Sequence, residues 1–244
     1  MKQSRFSGLL FYSLVFLLVS CSGGGTEKKA STDSTATDTT TAVVTPKVTT
    51  VTTPQNMLVV THKVANYAKW KASYDAHDSV RLAYGMHSYV IGRGLKDSNM
   101  VLVAVKVDDT AKAKAFAKDP GLKKAMQKGG VTGTPTMTLT TMVFQDTATI
   151  STDLRARTTY MVKDWSAWQI AFEAGKQERL DNGIATRAYG HNLDNDKKIV
   201  LVTAITDTAK AFAYYKSDAI KKRRVEGGVI GEPERFLYRV VQRY

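Results

Sequence analysis

The sequence predicts an α+β fold in which one βαββαβ module of roughly ninety residues occurs twice, behind an export segment and a disordered tether. Three observations predict this organisation. The chain aligns with itself without a gap at a shift of 98 residues, which places Trp70 on Trp168. Each copy repeats one order of strand-like and helix-like segments. The composition, 43% apolar and 23% charged, is that of a globular protein.

The self-alignment is specific because it pairs residues that have special conformational or chemical roles. About two dozen positions match across the two copies. They include the pairs Arg81-Leu82 and Arg179-Leu180, Gly85 and Gly183, Gly92 and Gly190, Asp109–Ala113 and Asp207–Ala211, and Gly129–Val131 and Gly227–Val229. An ungapped register of this length indicates a duplication. Two copies are too few for a solenoid.

The N-terminus carries the pattern of an export signal, predicted over residues 1–20. Lys2 and Arg5 precede an apolar run, Leu9–Val19, and Ser20 then precedes the only cysteine, Cys21. The string Leu18-Val19-Ser20-Cys21 resembles the bacterial lipobox, in which the cysteine becomes the N-terminus and carries acyl chains such as palmitate. A plain signal peptide or an uncleaved anchor helix is the alternative, although the run is short for spanning a bilayer of ~30 Å.

Residues 21–55 are predicted to be a tether between the lipid on Cys21 and the folded modules. The segment holds Gly23–Gly25 and a Thr/Ser-rich tract, and it lacks the apolar side chains that offset the entropy of folding. Ser22 supplies no acidic inner-membrane retention signal, so we expect an outer-membrane location in the cell envelope. The formal charge of +13 favours anionic lipids or acidic ligands. A solvated lysine-rich surface is the plainer interpretation of this charge. Nucleic acid is not expected as a partner, because the cell envelope does not contain it.

The two modules are predicted over residues 56–147 and 155–244, joined by a short polar linker, Asp146–Leu154. Each contains, in order, a strand, a helix, a hairpin of two strands, a second helix and a last strand. The predicted ranges are Met57–Val64, Asn66–Tyr84, Met86–Arg93, Met100–Val107, Asp109–Gln127 and Thr136–Phe144, and then Arg157–Lys163, Asp164–Asn182, Ile184–His191, Ile199–Ile205, Asp207–Val225 and Arg235–Gln242. Asn66 and Asp164 are predicted N-caps, and Gly85 and Gly183 are predicted C-caps.

The first helix pattern, Asn66–Lys71 with Arg81, and the turn Gly129-Gly130-Val131 resemble the dimeric α/β-barrel superfamily. This superfamily includes antibiotic-biosynthesis monooxygenase-like and cyclase-like small proteins, and the module order is similar to the ferredoxin-like topology. The resemblance covers residues 57–244. It implies that the two modules pack sheet to sheet as an intramolecular pseudo-dimer in a monomeric chain. It also implies a ligand between sheet and helices, but its motifs are structural and imply no activity.

One face of the first helix collects the candidate ligand-binding residues, because they recur at three- and four-residue steps. In copy one these are Trp70, Tyr74 and Arg81, and in copy two Trp168 and Arg179. The aromatic residues have a plainer role in the core. An arginine on an inward face needs a partner, because an unpaired buried charge is costly. Each arginine therefore either reaches water or an acidic neighbour at the helix end, or binds an anionic or enolate oxygen in a cleft.

The copies differ where chemistry is most expected. Gly175 stands in a helix where copy one has His77, which predicts a pocket or simple drift, and Tyr160 stands where copy one has His62. Histidine titrates near neutrality, so His77 and His62 are the candidate general bases. The four histidines do not converge in this topology, so no metal site is expected. No phosphate loop, paired carboxylates or nucleophile elbow occurs, and no cofactor is expected.

These observations leave three functional hypotheses. The leading one is a lipid-anchored envelope protein that binds a small apolar or anionic molecule inside the tandem barrel. The second is a cofactor-free enzyme resembling monooxygenases or cyclases, which predicts a polar cluster around an enclosed pocket. The third is a non-catalytic interaction module, which predicts filled interiors and an exposed apolar patch.

Overall fold

The computed structural model describes residues 49–244, and its two halves contain the same order of helices and strands. The first half contains β1 (Thr50–Val51), β2 (Gln55–Val64), α1 (Tyr67–Ala76), α2 (Asp78–Ala83), β3 (Met86–Gly94), β4 (Met100–Val107), α3 (Thr110–Ala117), α4 (Pro120–Lys128) and β5 (Val131–Asp146). The second half contains β6 (Leu154–Val162), α5 (Trp165–Ala174), α6 (Lys176–Asp181), β7 (Ile184–Asn192), β8 (Asn195–Ile205), α7 (Thr208–Tyr214), α8 (Asp218–Glu226) and β9 (Val229–Arg243). The predicted class, mixed helix and antiparallel strand, is confirmed.

The strands form one antiparallel sheet that closes on itself. Its order is β1-β5-β2-β4-β3-β9-β6-β8-β7, and β7 pairs in turn with β5. The two halves therefore meet along two seams, β3 against β9 and β7 against β5. Closure pairs the edges that an open sheet would leave free. It also separates the outer face of the sheet from an enclosed inner face.

Glycines permit the close approach at both seams. Gly92 lies in β3, where a Cβ would collide with the ring of Tyr238 on β9. Gly190 lies in β7, where a Cβ would collide with the backbone of Thr141 on β5. The self-alignment pairs these two glycines. Their shared reason is steric, since only a residue without a side chain fits where the other half packs against the strand.

The first helix of each half is broken, which corrects the prediction of single helices over Asn66–Tyr84 and Asp164–Asn182. The breaks lie at His77 (φ −96°, ψ 10°) and Gly175 (φ −86°, ψ 9°). Gly175 is therefore a junction residue and does not lie within a helix. The predicted N-caps are confirmed: the side chain of Asn66 accepts from the Lys69 amide at 3.0 Å and that of Asp164 from the Ala167 amide at 2.8 Å. The C-caps are Tyr84 and Asn182, and the predicted glycines, Gly85 and Gly183, follow them with φ of +66° and +68°.

The remaining differences from the predicted ranges also have local causes. The second helices split at Asp119 and Ser217, whose side chains cap α4 and α8, and Pro120 opens α4. The predicted Gly-Gly-Val turn ends earlier than expected, and β5 and β9 start at Val131 and Val229. Gly133 and Gly231 have φ of +71°, and the pairing register shifts opposite them, as in a β-bulge.

Two kinds of core follow from the closed sheet. On the outer face, helices bury the sheet around Trp70 in the first half and Trp168 in the second. On the inner face, Val59, Leu102 and Tyr238 pack together from both halves. Cavities can therefore lie either between sheet and helices, once in each half, or inside the closed sheet.

The described part of the tether is ordered. Thr50 and Val51 pair with Asp146 and Gln145 of β5, and the amide of Thr147 donates to the Thr49 carbonyl at 2.7 Å. The predicted tether thus ends before residue 49, because β-branched residues here extend the sheet edge. Its earlier part, the export segment and Cys21 lie outside the described residues. No helix of residues 49–244 has the length and apolarity to cross a bilayer.

Candidate functional site

Each half has a cavity between its helices and the outer face of the sheet. The first cavity, of about 80 Å³, lies between α1, α2, α4 and strands β2 to β5 of the first half. All five copy-one candidates line it, namely His62, Trp70, Tyr74, His77 and Arg81. The second cavity, of about 90 Å³, is lined by the copy-two candidates Trp168, Gly175 and Arg179. The helical periodicity put Trp70, Tyr74, His77 and Arg81 on one face, but it did not predict that His62 of β2 lines the same cavity.

The arginines of the two cavities share one local role, which the helix breaks create. At the break the Tyr74 carbonyl accepts from the His77 amide at 3.2 Å, and Arg81 Nη1 also donates to it at 2.6 Å. Arg179 Nη1 donates to the Phe172 carbonyl in the same way, at 2.5 Å. Each guanidinium also stacks on the ring of that residue, with its carbon 3.7 Å and 3.6 Å from the ring centroid. Both arginines are buried, and neither has the solvated helix-end position.

The two arginines differ in their carboxylate partner. Arg81 Nη2 donates to Asp78 Oδ1 at 2.9 Å, so its charge is compensated at the cavity wall. The self-alignment puts Lys176 at the position equivalent to Asp78. No carboxylate of residues 49–244 forms an ion pair with Arg179, and its buried Nε and Nη2 have no hydrogen-bond partner. Burial lowers the pKa of Arg179, and the negative charge of Glu173 offsets only part of this effect.

A second uncompensated arginine faces the second cavity. Arg235 stacks over the Tyr215 ring, 3.6 Å from its centroid, and its buried Nε has no partner among the described residues. Burial lowers its pKa also. By contrast, Arg223 and Arg224 each form an ion pair with a glutamate. Arg223 Nε lies 2.7 Å from the Glu178 carboxylate, and Arg224 Nη1 lies 3.3 Å from that of Glu232.

Phenols complete the wall of the second cavity. Burial is the main reason that the pKa of Tyr214 is raised to about 12, and burial also raises the pKa values of Tyr160 and Tyr215. These hydroxyl groups therefore stay neutral at physiological pH and can act as hydrogen-bond donors. Arg179 and Arg235 form no ion pair within residues 49–244, and together with the neutral phenols they favour negative charge in this cavity.

Sequence reasoning missed most of this cationic wall. Arg223, Arg224 and Arg235 occupy the positions of Ala125, Met126 and Met137 in the first half. The missed signal was therefore available in the self-alignment, as a change from an apolar residue to arginine at three matched positions. The three arginines lie on α8 and β9. The periodicity of the first helix, which identified the other candidates, does not include them.

The first cavity is apolar by comparison. Its sheet wall is built of Leu58, Val60, Val103, Val105 and Met137. His62 is 4% exposed, its ring lies 5.4 Å from that of Trp70, and neither ring nitrogen has a hydrogen-bond partner within residues 49–244. Burial lowers the pKa of His62 to about 4, so the imidazole is neutral at physiological pH. A group with this pKa accepts protons poorly at neutral pH, which weakens its case as a general base.

Tyr74 and His77 are the other polar candidates at the first cavity. The Tyr74 hydroxyl lies 2.8 Å from Ser88 Oγ, and Trp70 stacks on the Tyr74 ring at a centroid distance of 5.3 Å. His77 is half-buried at the helix break and faces both the cavity and a lysine-lined groove outside it. Within residues 49–244, no group of three or more histidine, cysteine, aspartate or glutamate side chains has the arrangement of a metal site.

No family model and no curated protein matches the chain. Solved structures share its fold. An anthrone oxidase-like protein has 15% identity over 79% of this chain and 94% of its own, with a TM-score of 0.53. A candidate monooxygenase from Fusobacterium nucleatum has 12% identity over 78% and 93%, with a TM-score of 0.52. One from Lactobacillus acidophilus has 11% identity over 77% and 94%, with a TM-score of 0.51.

These relatives belong to the dimeric α/β-barrel superfamily, and the likeness shows that this chain has the same fold. At such identities the likeness does not extend to activity. Any functional assignment must therefore come from the two cavities themselves.

Proposed function

We propose that the protein is a lipid-anchored component of the bacterial cell envelope that binds a small anion in the second cavity. One observation carries the binding proposal. Arg179 is buried at this cavity, has no carboxylate partner among the described residues and keeps two unpartnered nitrogen atoms. An unpaired buried charge is strongly unfavourable, and a bound anion relieves it.

The chemistry of the wall defines the class of anion. A cavity of about 90 Å³ takes a carboxylate or phosphate with a small organic part, because an engineered cavity of about 150 Å³ accommodates benzene. The planar fork of arginine matches both oxyanions with parallel hydrogen bonds. The rings of Trp168 and Phe172 favour a flat apolar portion beside the charge. Acetate and inorganic phosphate are therefore the probes that this volume admits, and benzoate, which is larger than benzene, tests whether the site widens to take a ring.

The test compares the same substitution at the two matched arginines. Arg179→Lys and Arg81→Lys each weaken the contact with the broken-helix carbonyl and each keep the charge. Only Arg179→Lys removes the two free N–H groups that we assign to the anion. Isothermal titration calorimetry with acetate or phosphate is expected to show binding in the wild type and in Arg81→Lys. The affinity of Arg179→Lys should be lower by about tenfold or more.

Two outcomes would overturn the binding proposal. One is no saturable binding of acetate, benzoate or phosphate by the wild-type chain. The other is an equal loss of affinity in both lysine variants, which would show that the helix break controls the effect. Arg235→Gln adds an independent check, since it removes the second uncompensated charge and leaves both helix breaks unchanged.

The first cavity supports a second candidate, a neutral and mostly apolar ligand. His62 offers a buried donor and acceptor that no described residue uses. An apolar molecule with one hydroxyl or carbonyl group satisfies it without introducing a charge. The enzyme alternative has weaker support, because the depressed pKa of His62 is poorly matched to proton abstraction at neutral pH. Catalysis by His77 is tested by His77→Ala, which should abolish any turnover that exists.

We also propose that the two halves are duplicated ferredoxin-like modules, 56–147 and 155–244, that pair within one chain. The shared element order and the matched seam glycines support this proposal. A monomeric mass in light scattering is the expected result, and an obligate dimer would contradict it. For the anchor, a diacylglycerol on Cys21 and an outer-membrane location are expected. Mass spectrometry of the envelope protein and of Cys21→Ser tests the lipid, and membrane fractionation tests the location.

The interaction-module alternative has limited support. Ile170, Val225 and Ile230 are exposed by 74%, 79% and 50%, and all three lie in the second half. Single exposed apolar residues are common on monomeric proteins, however. The presence of a cavity in each half also differs from the filled interiors that this alternative predicts.

A further inference from the structure

A third and larger cavity lies inside the closed sheet, distinct from the two cavities beneath the helices. Its volume is about 610 Å³, which is within the range of small-molecule sites. Linker residues 147–153, which connect the two halves, cover one end of it. Strands of both halves contribute its walls, so the cavity exists only because the sheet closes.

The strand walls of this cavity are mainly apolar. Met57 and Leu102 project into it from the first half, and Val202 and Val240 project from the second. These residues belong to the inward-facing sets of their strands, next to the inner core of Val59, Leu102 and Tyr238. The apolar wall therefore favours a hydrocarbon body.

The linker end is cationic. Arg155, Arg187 and Arg243 line the cavity there. Arg187 is compensated, because its Nη1 lies 3.0 Å from Asp146 Oδ2. Arg155 is 3% exposed and its Nη1 donates only to backbone carbonyls, those of Thr152 at 2.8 Å and Leu154 at 2.9 Å.

Asp153 also lines the cavity, and its carboxylate pairs with Arg239 at 2.5 Å. It forms no ion pair with Arg155, although its negative charge partly offsets the fall in the pKa of that arginine. No carboxylate of residues 49–244 forms an ion pair with Arg155 or Arg243. Burial lowers the pKa of Arg155, and the positive charges of Arg243 and Arg187 lower it further. The mouth of the cavity therefore has an excess of positive charge above an apolar interior.

We infer that this inner cavity binds an amphipathic anion, with a carboxylate or phosphate head between Arg155 and Arg243 and an alkyl body directed into the closed sheet. The polarity of the cavity sets this orientation, since its charged end and its apolar wall lie apart. The inference does not depend on the anion proposed for the second cavity, whose residues line a different part of the molecule.

Calorimetry with the full-length chain, free of detergent, tests the inference. Octanoate and decanoate are the carboxylate probes, decyl phosphate tests the alternative head group, and 1-decanol tests the need for charge. We expect saturable binding of decanoate, at about fourfold higher affinity for each methylene beyond octanoate. Decanol should bind at least tenfold more weakly than the better of the two anions. The ratio of decanoate to decyl phosphate affinity identifies the head group.

Three variants distinguish this cavity from other sites. Ala104→Phe fills the apolar wall and should abolish binding. Arg243→Gln removes an exposed charge at the mouth and should weaken binding about tenfold. Lys198→Gln is the control, because it removes an exposed charge of β8 that does not line the cavity, and it should bind like the wild type. Thermal unfolding confirms that each variant is folded.

The inference is overturned if the wild type binds none of these anions, if decanol binds as tightly as decanoate and decyl phosphate, or if folded Ala104→Phe retains binding. It is separable from the proposed function by Arg179→Lys, which should leave decanoate affinity unchanged. Conversely, Ala104→Phe should leave acetate and phosphate affinity unchanged.

Discussion

The first and second cavities occupy equivalent positions in the two halves but differ in charge. Both have a tryptophan from the first helix, and both have an arginine that donates to a carbonyl in the last turn before the helix break. In the first cavity Asp78 compensates that arginine. In the second, Lys176 stands in place of the aspartate, and Arg235 replaces Met137.

The comparison separates two roles that one residue can have. Arg81 and Arg179 both stabilise the helix break, which explains why both halves have arginine there. Their availability to a ligand is set by a neighbouring position, 78 or 176, that takes no part in the break. The folding role and the binding role can therefore change independently.

The largest expected effect tests what the halves share. Trp70→Ala and Trp168→Ala should each lower the free energy of unfolding by about 3–5 kcal/mol, because each removes a large side chain that is 4% or 2% exposed. Urea denaturation provides the measurement. Losses that differ by more than about 2 kcal/mol would show that the two helix–sheet cores are not equivalent.

The next effect concerns His62, which has no counterpart in the second half. Burial lowers its pKa to about 4 in the folded state, from 6.5 for the free side chain. Between these values the unfolded state binds more protons, so stability is full above about pH 6.5 and falls as the pH is lowered towards 4. The total loss is about 3 kcal/mol, at 1.36 kcal/mol for each pH unit.

His62→Tyr introduces the residue of the second half and should remove this contribution. Urea denaturation of the wild type and the variant at about pH 7 and about pH 4 measures the difference in slope. Carboxylates titrate in both proteins and cancel in the comparison. The same stability difference at both pH values would refute the assignment.

Lys176→Asp should convert the second cavity to the electrostatics of the first. Lys176 is exposed, so the change costs little stability, and an aspartate here can reach Arg179 as Asp78 reaches Arg81. We expect the affinity for the bound anion to fall about 10- to 100-fold, since a hydrogen bond to a charged group contributes about 1.5–3 kcal/mol.

Asp78→Lys is the reciprocal change and should create anion binding in the first cavity, measurable by the same calorimetry. The new site would raise the measured stoichiometry from one to two bound anions per chain. If Lys176→Asp leaves the affinity unaltered, position 176 does not control Arg179.

The smallest expected effect is that of Gly175→Ala. Any residue can adopt the backbone conformation at this junction, but a Cβ would lie 3.2 Å from Arg179 Nη1 and 3.5 Å from Arg223 Nε. We expect a two- to fivefold loss of anion affinity, about 0.4–1 kcal/mol, with little change in melting temperature. His77→Ala, at the matched junction, should leave anion affinity unchanged. Unaltered binding by Gly175→Ala would exclude a contribution of the junction to the site.

Sequence patterns were informative where one local cause determines the structure. The capping residues Asn66 and Asp164, the strand Met100–Val107 and the common location of the helix candidates within each half all follow from periodicity and capping chemistry. The helix breaks were not predictable in this way, because neither His77 nor Gly175 prevents helix continuation. At each break the arginine four residues later donates a second hydrogen bond to a carbonyl that already accepts from the junction amide.

The charge of the second cavity was missed for a related reason. Arg235 lies on a strand and Arg179 on a helix, and only tertiary packing brings their uncompensated charges to one cavity. The ordered structure of residues 49–51 was not predicted for the same reason, because their partner, the end of β5, is far away in the sequence.

The single linker, residues 147–153, has a genetic consequence. In an assembly of two identical subunits, one nucleotide substitution changes both sites at once, and a loss in one cannot be offset by the other. Here each cavity is encoded by its own codons. A mutation at position 176 alters one site and leaves its counterpart as an unmodified copy, so selection can act on the two sites separately.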